Sequence, residues 1–327
     1  MKPRPRLTAF ALIGAVILLF GLSLTVGKAQ VPWSAWLDPA GDPRWQIIFA
    51  LRLPRTLLGI LVGGALGLSG AAMQGYARNP LADPGILGVS ASAAFGAVLT
   101  LFFGLSRIAP WFLEVAAIAG AGLGGVMMVA LAGRGASATS FLLAGLVVNM
   151  LASAGVTLML SLSPNPWSAE EIINWLMGSL ADHSLTDAAI AAPLILAGSA
   201  LLLTLGTALN ALTLGETGAA GLGVSLSSVR LRLALGLGLA SGAAVAAVGV
   251  VGFVGLMAPH MLRAFVGPKP SSLLWPSALG GAVVILAADI LVRLTPAASE
   301  LRLGVATAMV GGPFFFVLLI ANRRQFA

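Results

Sequence analysis

The stretch LTLGETGAAGLG, residues 212–223, interrupts the hydrophobicity of the second half of this chain, and apolar segments long enough to cross a bilayer lie on both sides of it. Its continuation, VSLSSVRLR at 224–232, is also polar. Glycine, alanine and threonine surround Glu216, and this composition favours short helices and tight turns over a membrane span. We therefore predict a short helix at the cytosolic surface on which a second protein can push. A solvated loop is the alternative that the stretch alone leaves open.

The composition places the rest of the chain in a membrane. Of the 327 residues, 58% are hydrophobic and 9% are charged, whereas soluble proteins have about 25% charged residues. At about 20 apolar residues per spanning helix, about ten spans fit. We predict an all-α, polytopic membrane protein with cytosolic N- and C-termini, formed by one transmembrane domain over residues 1–327.

The predicted spans alternate with polar or turn-forming segments. They cover about 7–26, 56–76, 89–105, 112–131, 141–162, 188–209, 233–251, 252–265, 273–292 and 304–320. Lys2, Arg4 and Arg6 precede a first apolar run too long for a signal peptide, so we expect it to be retained. The eighth span is interrupted by Pro259-His260, which predicts a broken helix. Residues 163–187 are amphipathic and predict one or two short helices outside the membrane.

The distribution of basic residues predicts the orientation of the chain in the membrane, and the spacing of glycines predicts where helices pack closely. Basic residues are more numerous on the predicted cytosolic side, which includes a tight basic turn at 133–135, as the positive-inside rule requires. Small residues let membrane helices approach closely. Three glycine pairs have the four-residue spacing that suits such contacts: Gly63 and Gly67, Gly120 and Gly124, and Gly238 and Gly242.

Several classes of function are excluded or disfavoured. The absence of cysteine excludes disulfides and thiolate metal sites. The net charge of +7 is scattered at span ends, so nucleic-acid binding is not predicted. No GxxxxGK[ST] phosphate-binding loop occurs, so the chain is not expected to hydrolyse ATP. No second His or carboxylate is spaced with His260 as a metal site would require, so we predict a structural hydrogen-bonding role for it. His183, in the outer loop, is predicted to be a surface residue, with a contact to haem or a chelate as the alternative.

Three further segments carry a resemblance that covers nearly the whole chain. They are RLPRTLLGILVGGALGLSGAAMQGYARNPLADPGILGVS at 52–90, GFVGLMAPHMLRAFVG at 252–267, and AADILVR with SELRLGVATAMVGGPFFFVLL at 287–319. In this order, with LTLGETGAAGLG between the first two, they resemble the FecCD family, the permease subunits of type II ATP-binding-cassette importers for iron chelates, haem and cobalamin. Arg302 stands where that family usually has proline, which leaves open the local geometry at the outer end of the last span.

The resemblance implies a function and a set of partners. It implies a homodimeric permease in the bacterial cytoplasmic (inner) membrane, with membrane lipid around it. A periplasmic binding protein would deliver the cargo, and two copies of a separate ATPase subunit would bind ATP-Mg, with no cofactor on this chain. We expect an iron chelate, siderophore or haem, as the cargo, with cobalamin or molybdate as the alternative. From another class, an ion-coupled secondary transporter would need ionisable residues buried at mid-span, where only Asp289 comes near.

The resemblance also implies roles for particular residues at the two membrane surfaces. The ATPase is expected to contact a coupling segment, about 210–230, through Leu214, Gly215, Glu216, Thr217, Ala220, Leu222 and Gly223. Acidic residues of the binding protein are expected to dock on Arg52, Arg55 and Arg293, which we place at outer span ends with their guanidinium groups reaching water. Simple anchoring at the interface is the alternative for these arginines.

The remaining candidates lie within or beside the spans. Ser137, Thr139 and Ser140, at the start of the fifth span, are expected to form a cytosolic gate, and helix capping explains them equally well. Met73 and Gln74 are candidates for lining the pathway, with packing as the alternative. Asp289 lies four residues before Arg293, so we predict that the two pair on one helix face.

Overall fold

A computed structural model describes residues 4–37, 41–109, 111–133, 136–295 and 301–326. Three features named above lie outside these residues: Lys2 before the first span, Arg134 and Gly135 of the basic turn, and Glu300 of the SELRLG segment. The described parts of the chain are helical and contain no strand. The prediction of an all-α membrane protein is therefore confirmed.

Fifteen α-helices follow one another in these ranges. They are α1 (Pro5–Thr25), α2 (Trp33–Leu37), α3 (Leu53–Ala77), α4 (Val89–Phe102), α5 (Trp111–Ala132), α6 (Ala138–Ser161), α7 (Pro166–Leu176), α8 (Leu185–Leu203), α9 (Gly206–Leu212), α10 (Gly215–Gly221), α11 (Leu226–Leu237), α12 (Ala243–Val248), α13 (Val254–Val266), α14 (Pro270–Leu294) and α15 (Leu303–Phe326). Two π-helical turns, Ile47–Arg52 and Gly238–Gly242, lead into α3 and α12. Short 3-10 turns cover Pro84–Leu87 and Leu105–Arg107.

The apolar helices correspond to the predicted spans. Seven described helical segments are long and apolar enough to cross a membrane, and three shorter apolar helices cover Val89–Phe102, Val254–Val266 and Leu303–Leu318. The second predicted span begins earlier than expected, at Ile47, because the π-helical turn continues directly into α3. The sixth also begins earlier, because Ser184 and Asp187 form a capping box that starts α8.

Helix α3 is the centre of the molecule. In the most apolar 18-residue stretch of the span that contains α3, 78% of the residues are buried, compared with 28% in each of the spans α5, α6 and α8. Its closest partner is α14, and glycines make this contact possible. A Cβ atom on Gly63 or Gly67 would overlap the carbonyl oxygen of Gly281 or Ser277, respectively. The four-residue glycine spacing therefore marks a real helix contact here.

We expect Gly67→Ala to destabilise this helix pair by about 1–3 kcal/mol, the usual cost of overpacking. Gly64→Ala is the matched control, because a Cβ there would meet only the Ala278 carbonyl oxygen, at 3.8 Å. The measurement is the melting temperature of each variant in one detergent. Equal melting temperatures for the two variants would contradict the assigned contact.

The eighth span is not broken at Pro259-His260; the helices are interrupted instead at the junction of the seventh and eighth predicted spans. The chain leaves helical geometry between α12 and α13, where Gly249 and Phe253 have φ values of 76° and 70°. Pro259 instead lies inside the continuous helix α13. The Gly255 carbonyl, which would have bonded the N–H that proline lacks, lies where Gly70 of α3 leaves room for it. The prediction that Pro259 breaks the span was therefore wrong.

Candidate functional site

The coupling segment forms the compact element predicted for it. Helix α10 has seven residues. Gly215, its first residue, and Gly223, two residues after its end, have φ values of 88° and 83°. Glycine adopts such left-handed angles without the strain of a side chain. Within α10, the side chain of Ala219 is fully buried against the protein. Its carbonyl oxygen accepts a hydrogen bond from Val224 N at 3.1 Å. The segment is therefore a short helix held at both ends.

The face of α10 that points away from the rest of the protein is apolar and exposed. Leu214 and Leu222, which flank the helix, are 68% and 65% exposed. Thr217 and Ala220 between them are also exposed. Two leucines beside small residues form a shallow apolar surface at the edge of the membrane domain, and such surfaces commonly mark protein contacts.

Glu216 faces the protein body, which the sequence did not reveal. Its Oε1 accepts a hydrogen bond from the backbone N–H of Ala138, the first residue of α6. Its Oε2 lies 4.0 Å from Nη2 of Arg230 on α11. The first N–H groups of a helix lack partners inside the helix and carry partial positive charge, so they favour a carboxylate. Glu216 therefore ties the coupling helix to two spanning helices.

The predicted gate residues lie directly beside this tie. Ser137 is the N-cap of α6, and its hydroxyl accepts a hydrogen bond from Ser140 N at 3.1 Å. The capping role left open for Ser137 is thus present in the structure. Thr139 and Ser140 are exposed on the first turn of α6. Movement of α10 would reach these residues through Glu216 and Ala138.

A buried ionic cluster lies at the opposite side of the membrane domain. Asp289 and Arg293 pair on α14 as predicted, with Oδ2 2.9 Å from Nη2, an ion-pair distance without the alignment of a hydrogen bond. Arg55 of α3 donates from Nε to Oδ1 of Asp289 at 2.8 Å. The Asp289 side chain is 2% exposed. One carboxylate therefore holds two guanidinium groups inside the helix bundle.

Arg52 and Arg293 bind the end of α1. Arg52 donates to the carbonyl oxygens of Leu24, Thr25 and Ala29. Arg293 donates to the carbonyl oxygens of Ser23 and Val26 and to the Ser23 hydroxyl. The last carbonyls of a helix lack partners and attract cations. Each arginine is only 5% exposed, so the expectation that these guanidinium groups reach water was wrong.

These arginines line a basic cavity of about 410 Å³ on the side predicted to be the outer one. The charged residues in its wall are Lys28, Arg52, Arg55, Arg293, Arg302 and Asp182. Arg302 lies directly before α15, and its carbonyl oxygen accepts from Val305 N and Ala306 N at 3.1 Å. The residue that replaces the usual proline therefore starts the last helix in the ordinary way and adds positive charge to this cavity.

Met73 and Gln74 are buried in the single chain, although Gln74 borders a cavity of about 200 Å³. They are 1% and 3% exposed, because α3 is surrounded by other helices. Gln74 accepts a hydrogen bond from Nη2 of Arg263 at 2.9 Å and donates to the Leu256 carbonyl oxygen at 3.4 Å. Gln74 therefore joins α3 to α13, and the expectation that Met73 and Gln74 line the pathway stays a prediction.

The two histidines occupy different settings. Burial lowers the pKa of the His183 imidazole, and the Asp187 carboxylate, 3.7 Å from its Nδ1, opposes that shift. The His183 side chain is 21% exposed, so it is less of a surface residue than predicted. His260 packs edge-on against Phe314 and Phe315. Its Nδ1 finds no hydrogen-bond partner among the described residues, contrary to the predicted bonding role.

Within the same residues, no cluster of three or more His, Asp or Glu side chains could hold a metal.

The matches to known proteins cover nearly the full chain. The model of the FecCD transport family matches residues 15–321. The hemin transport system permease protein HmuU of Yersinia pestis is 38% identical over 99% of this chain and 98% of its own length. The vitamin B12 import system permease protein BtuC of Pectobacterium atrosepticum is 37% identical, over 98% and 95%. The Fe(3+)-citrate import system permease protein YfmD of Bacillus subtilis is 35% identical, over 95% and 94%.

A solved structure agrees with these sequence matches. It is a metal-chelate type ABC transporter in an inward-facing conformation, and it superimposes with a TM-score of 0.87 at 32% sequence identity. The match covers 97% of this chain and 100% of that chain. Sequence and fold are therefore similar along the whole length of both proteins.

Proposed function

Because the chain belongs to the FecCD transport family, it is the membrane-spanning permease subunit of an ATP-binding-cassette importer, and we propose that its cargo is an iron chelate. It is a multi-pass protein of the bacterial cytoplasmic membrane. A separate ATPase subunit hydrolyses ATP, and a binding protein on the outer face delivers the cargo. The observation that carries the proposal is the end-to-end similarity to the hemin permease and to the metal-chelate transporter.

The cargo is tested by uptake in cells that lack their own importers and express this chain with its ATPase and binding protein. We expect uptake of haem, ferric citrate or a ferric siderophore, each supplied as a labelled compound. Uptake that requires ATP and survives a protonophore would also exclude the ion-coupled alternative. Uptake of cobalamin or molybdate alone would overturn the iron-chelate proposal.

We propose that the coupling segment is the contact for the ATPase. Leu214 and Leu222 would enter a groove of that subunit, with Thr217 and Ala220 allowing close approach and Gly215 and Gly223 fixing the ends of the helix. The exposed apolar face of α10 supports this role, since fully burying a leucine contributes about 1.5–3 kcal/mol. Glu216 would act differently, by positioning α10 against α6.

The double variant Leu214→Asp and Leu222→Asp should therefore bind the ATPase at least about 100-fold more weakly, because about 1.4 kcal/mol corresponds to tenfold. The measurement is a titration of the purified permease with the ATPase subunit. The control is Leu37→Asp with Leu185→Asp, which changes two exposed leucines predicted to lie outside. Unchanged ATPase affinity in the first variant would remove α10 from the interface.

We propose that two copies of this chain form a homodimer around the pathway, so that two coupling helices meet two ATPases. Helix α6 supports this arrangement, because it exposes the apolar residues Leu143, Val147 and Leu151 along one side. The gate formed by Ser137, Thr139 and Ser140 would then lie at the cytosolic mouth between the copies.

For the outer side, we propose that the basic cavity receives an acidic side chain of the binding protein. Arg52, Arg55 and Arg293 are committed to internal contacts, so they would act through the positive charge of the cavity wall. Arg302, at the edge of α15, is half-buried and is better placed for direct contact. Guanidinium groups suit this task because they bind carboxylates with paired hydrogen bonds.

A further inference from the structure

An apolar groove runs along the surface between α5, α8 and α11. Its volume is about 390 Å³, and its floor is built from small residues. A Cβ atom added to Gly122, Gly125 or Gly238 would meet nothing within 4 Å. These three glycines therefore leave space that the protein itself does not fill, in helices long and apolar enough to span the membrane.

The groove becomes polar at its cytosolic end. It continues into a second cavity of about 480 Å³, which shares Val129, Ala130 and Leu231 with the first. The second cavity adds Ser227 and Arg230 to the lining. Ser227 lies in the first turn of α11, where backbone N–H groups and the helix dipole favour an anion. The combined surface is thus long and apolar in the membrane and cationic at the cytosolic surface.

We propose that this groove binds an anionic phospholipid of the cytosolic leaflet, with one acyl chain along α5 and α11 and the phosphate at Arg230. The length fits. Arg230 and Ala243, near the two ends of the combined surface, are separated by about 20 Å of helix. The hydrocarbon of one leaflet is about 15 Å deep, which leaves room for the glycerol and phosphate.

The charge also fits a phosphate group. The Arg230 guanidinium carries five N–H donors. Its side chain is only 10% exposed and contacts the Glu216 carboxylate at 4.0 Å, but it also lines the second cavity, so a phosphate in that cavity would meet donors that the single carboxylate does not use. Guanidinium groups match the geometry of phosphate oxygens. A neutral ligand without phosphate would leave the polar end of the groove unused. The binding itself does not depend on the identity of the cargo.

The experiment uses the full-length protein in mild detergent, with phosphatidylglycerol and phosphatidylcholine of identical acyl chains as probes. Native mass spectrometry counts the lipid retained at each lipid concentration. We expect wild-type protein to hold phosphatidylglycerol at least tenfold more tightly than phosphatidylcholine. Gly125→Leu with Gly238→Leu fills the groove and should abolish this binding, and Arg230→Gln should remove the preference for the anionic lipid.

Gly14→Leu with Gly21→Leu is the matched control, because a Cβ at either position of α1 also meets nothing within 4 Å. This variant should bind lipid like the wild type. Elution of all variants at the wild-type volume verifies that they are folded. Equal binding of the two lipids by wild-type protein, or unchanged binding in the groove-filling variant, would overturn the proposal. Dissociation of a dimer by the groove-filling variant with lipid retention intact would assign the groove to a second copy and also overturn it.

Discussion

Asp289→Asn is expected to lower the melting temperature of the detergent-solubilised protein sharply, because it leaves Arg55 and Arg293 buried without their shared carboxylate. Removing one partner of a buried ion pair costs about 3–5 kcal/mol, since the remaining charge is no longer compensated. Total stabilities of about 5–15 kcal/mol make this loss large. The measurement is thermal unfolding together with the yield of protein inserted in the membrane.

Two comparisons make this prediction specific. Asp42→Asn is the control, because Asp42 pairs with Arg44 at 2.7 Å, yet the Arg44 side chain is 52% exposed, and such surface pairs contribute little to stability. Adding Arg55→Met to Asp289→Asn should restore part of the stability by removing one uncompensated charge. A melting temperature for Asp289→Asn equal to that of Asp42→Asn would show that the cluster does not stabilise the fold.

Glu216→Ala is expected to separate ATP hydrolysis from transport. The exposed leucines of the coupling segment remain, so the ATPase should still bind with near wild-type affinity. The tie from α10 to Ala138 and Arg230 is lost, so movement of α10 should no longer reach α6. We expect uptake in proteoliposomes to fall at least about tenfold while ATP hydrolysis continues; each tenfold corresponds to about 1.4 kcal/mol.

A change to a positive charge should reduce uptake more at position 216 than elsewhere on α10. In Glu216→Lys an ammonium group replaces the carboxylate beside Arg230 and the positive end of α6, where like charge is unfavourable. Thr217→Lys is the matched control, since Thr217 is the next residue along and is exposed. If Glu216→Ala transports cargo at the wild-type rate per ATP, the tie has no role in coupling.

The sequence predicts elements well because apolar length and turn composition are local properties. The short helix after Leu212 and the ten apolar segments follow from them, as does the pair of Asp289 with Arg293 one helical turn apart. Arg55 and Asp289 are 234 residues apart, and no pattern in one sequence connects them. Nor could the sequence show that the Arg52 guanidinium would donate to backbone carbonyl oxygens at and after the end of α1 instead of to water.

The error at Pro259 arose from packing between helices that are distant in the sequence. The prediction from Pro259 assumed that proline breaks a helix, but α13 continues because Gly70 accommodates the freed carbonyl of Gly255 from another helix. Nor does the sequence show that helix α3 is more than one span among ten. Its central position results from glycine contacts with α14, which depend on the arrangement of all the helices.

The tie between Glu216 and α6 has a consequence for genetics. Its donor is the backbone amide of Ala138, which every residue except proline supplies. A substitution at position 138 therefore leaves the donor in place as long as the new side chain fits this buried site, where Ala138 is 8% exposed. The Glu216 carboxylate is the part of the link that a single substitution removes. A selection for mutants that restore transport to Glu216→Ala should accordingly return true revertants, or compensating changes on α10 and α11, and should not recover new side chains at 138.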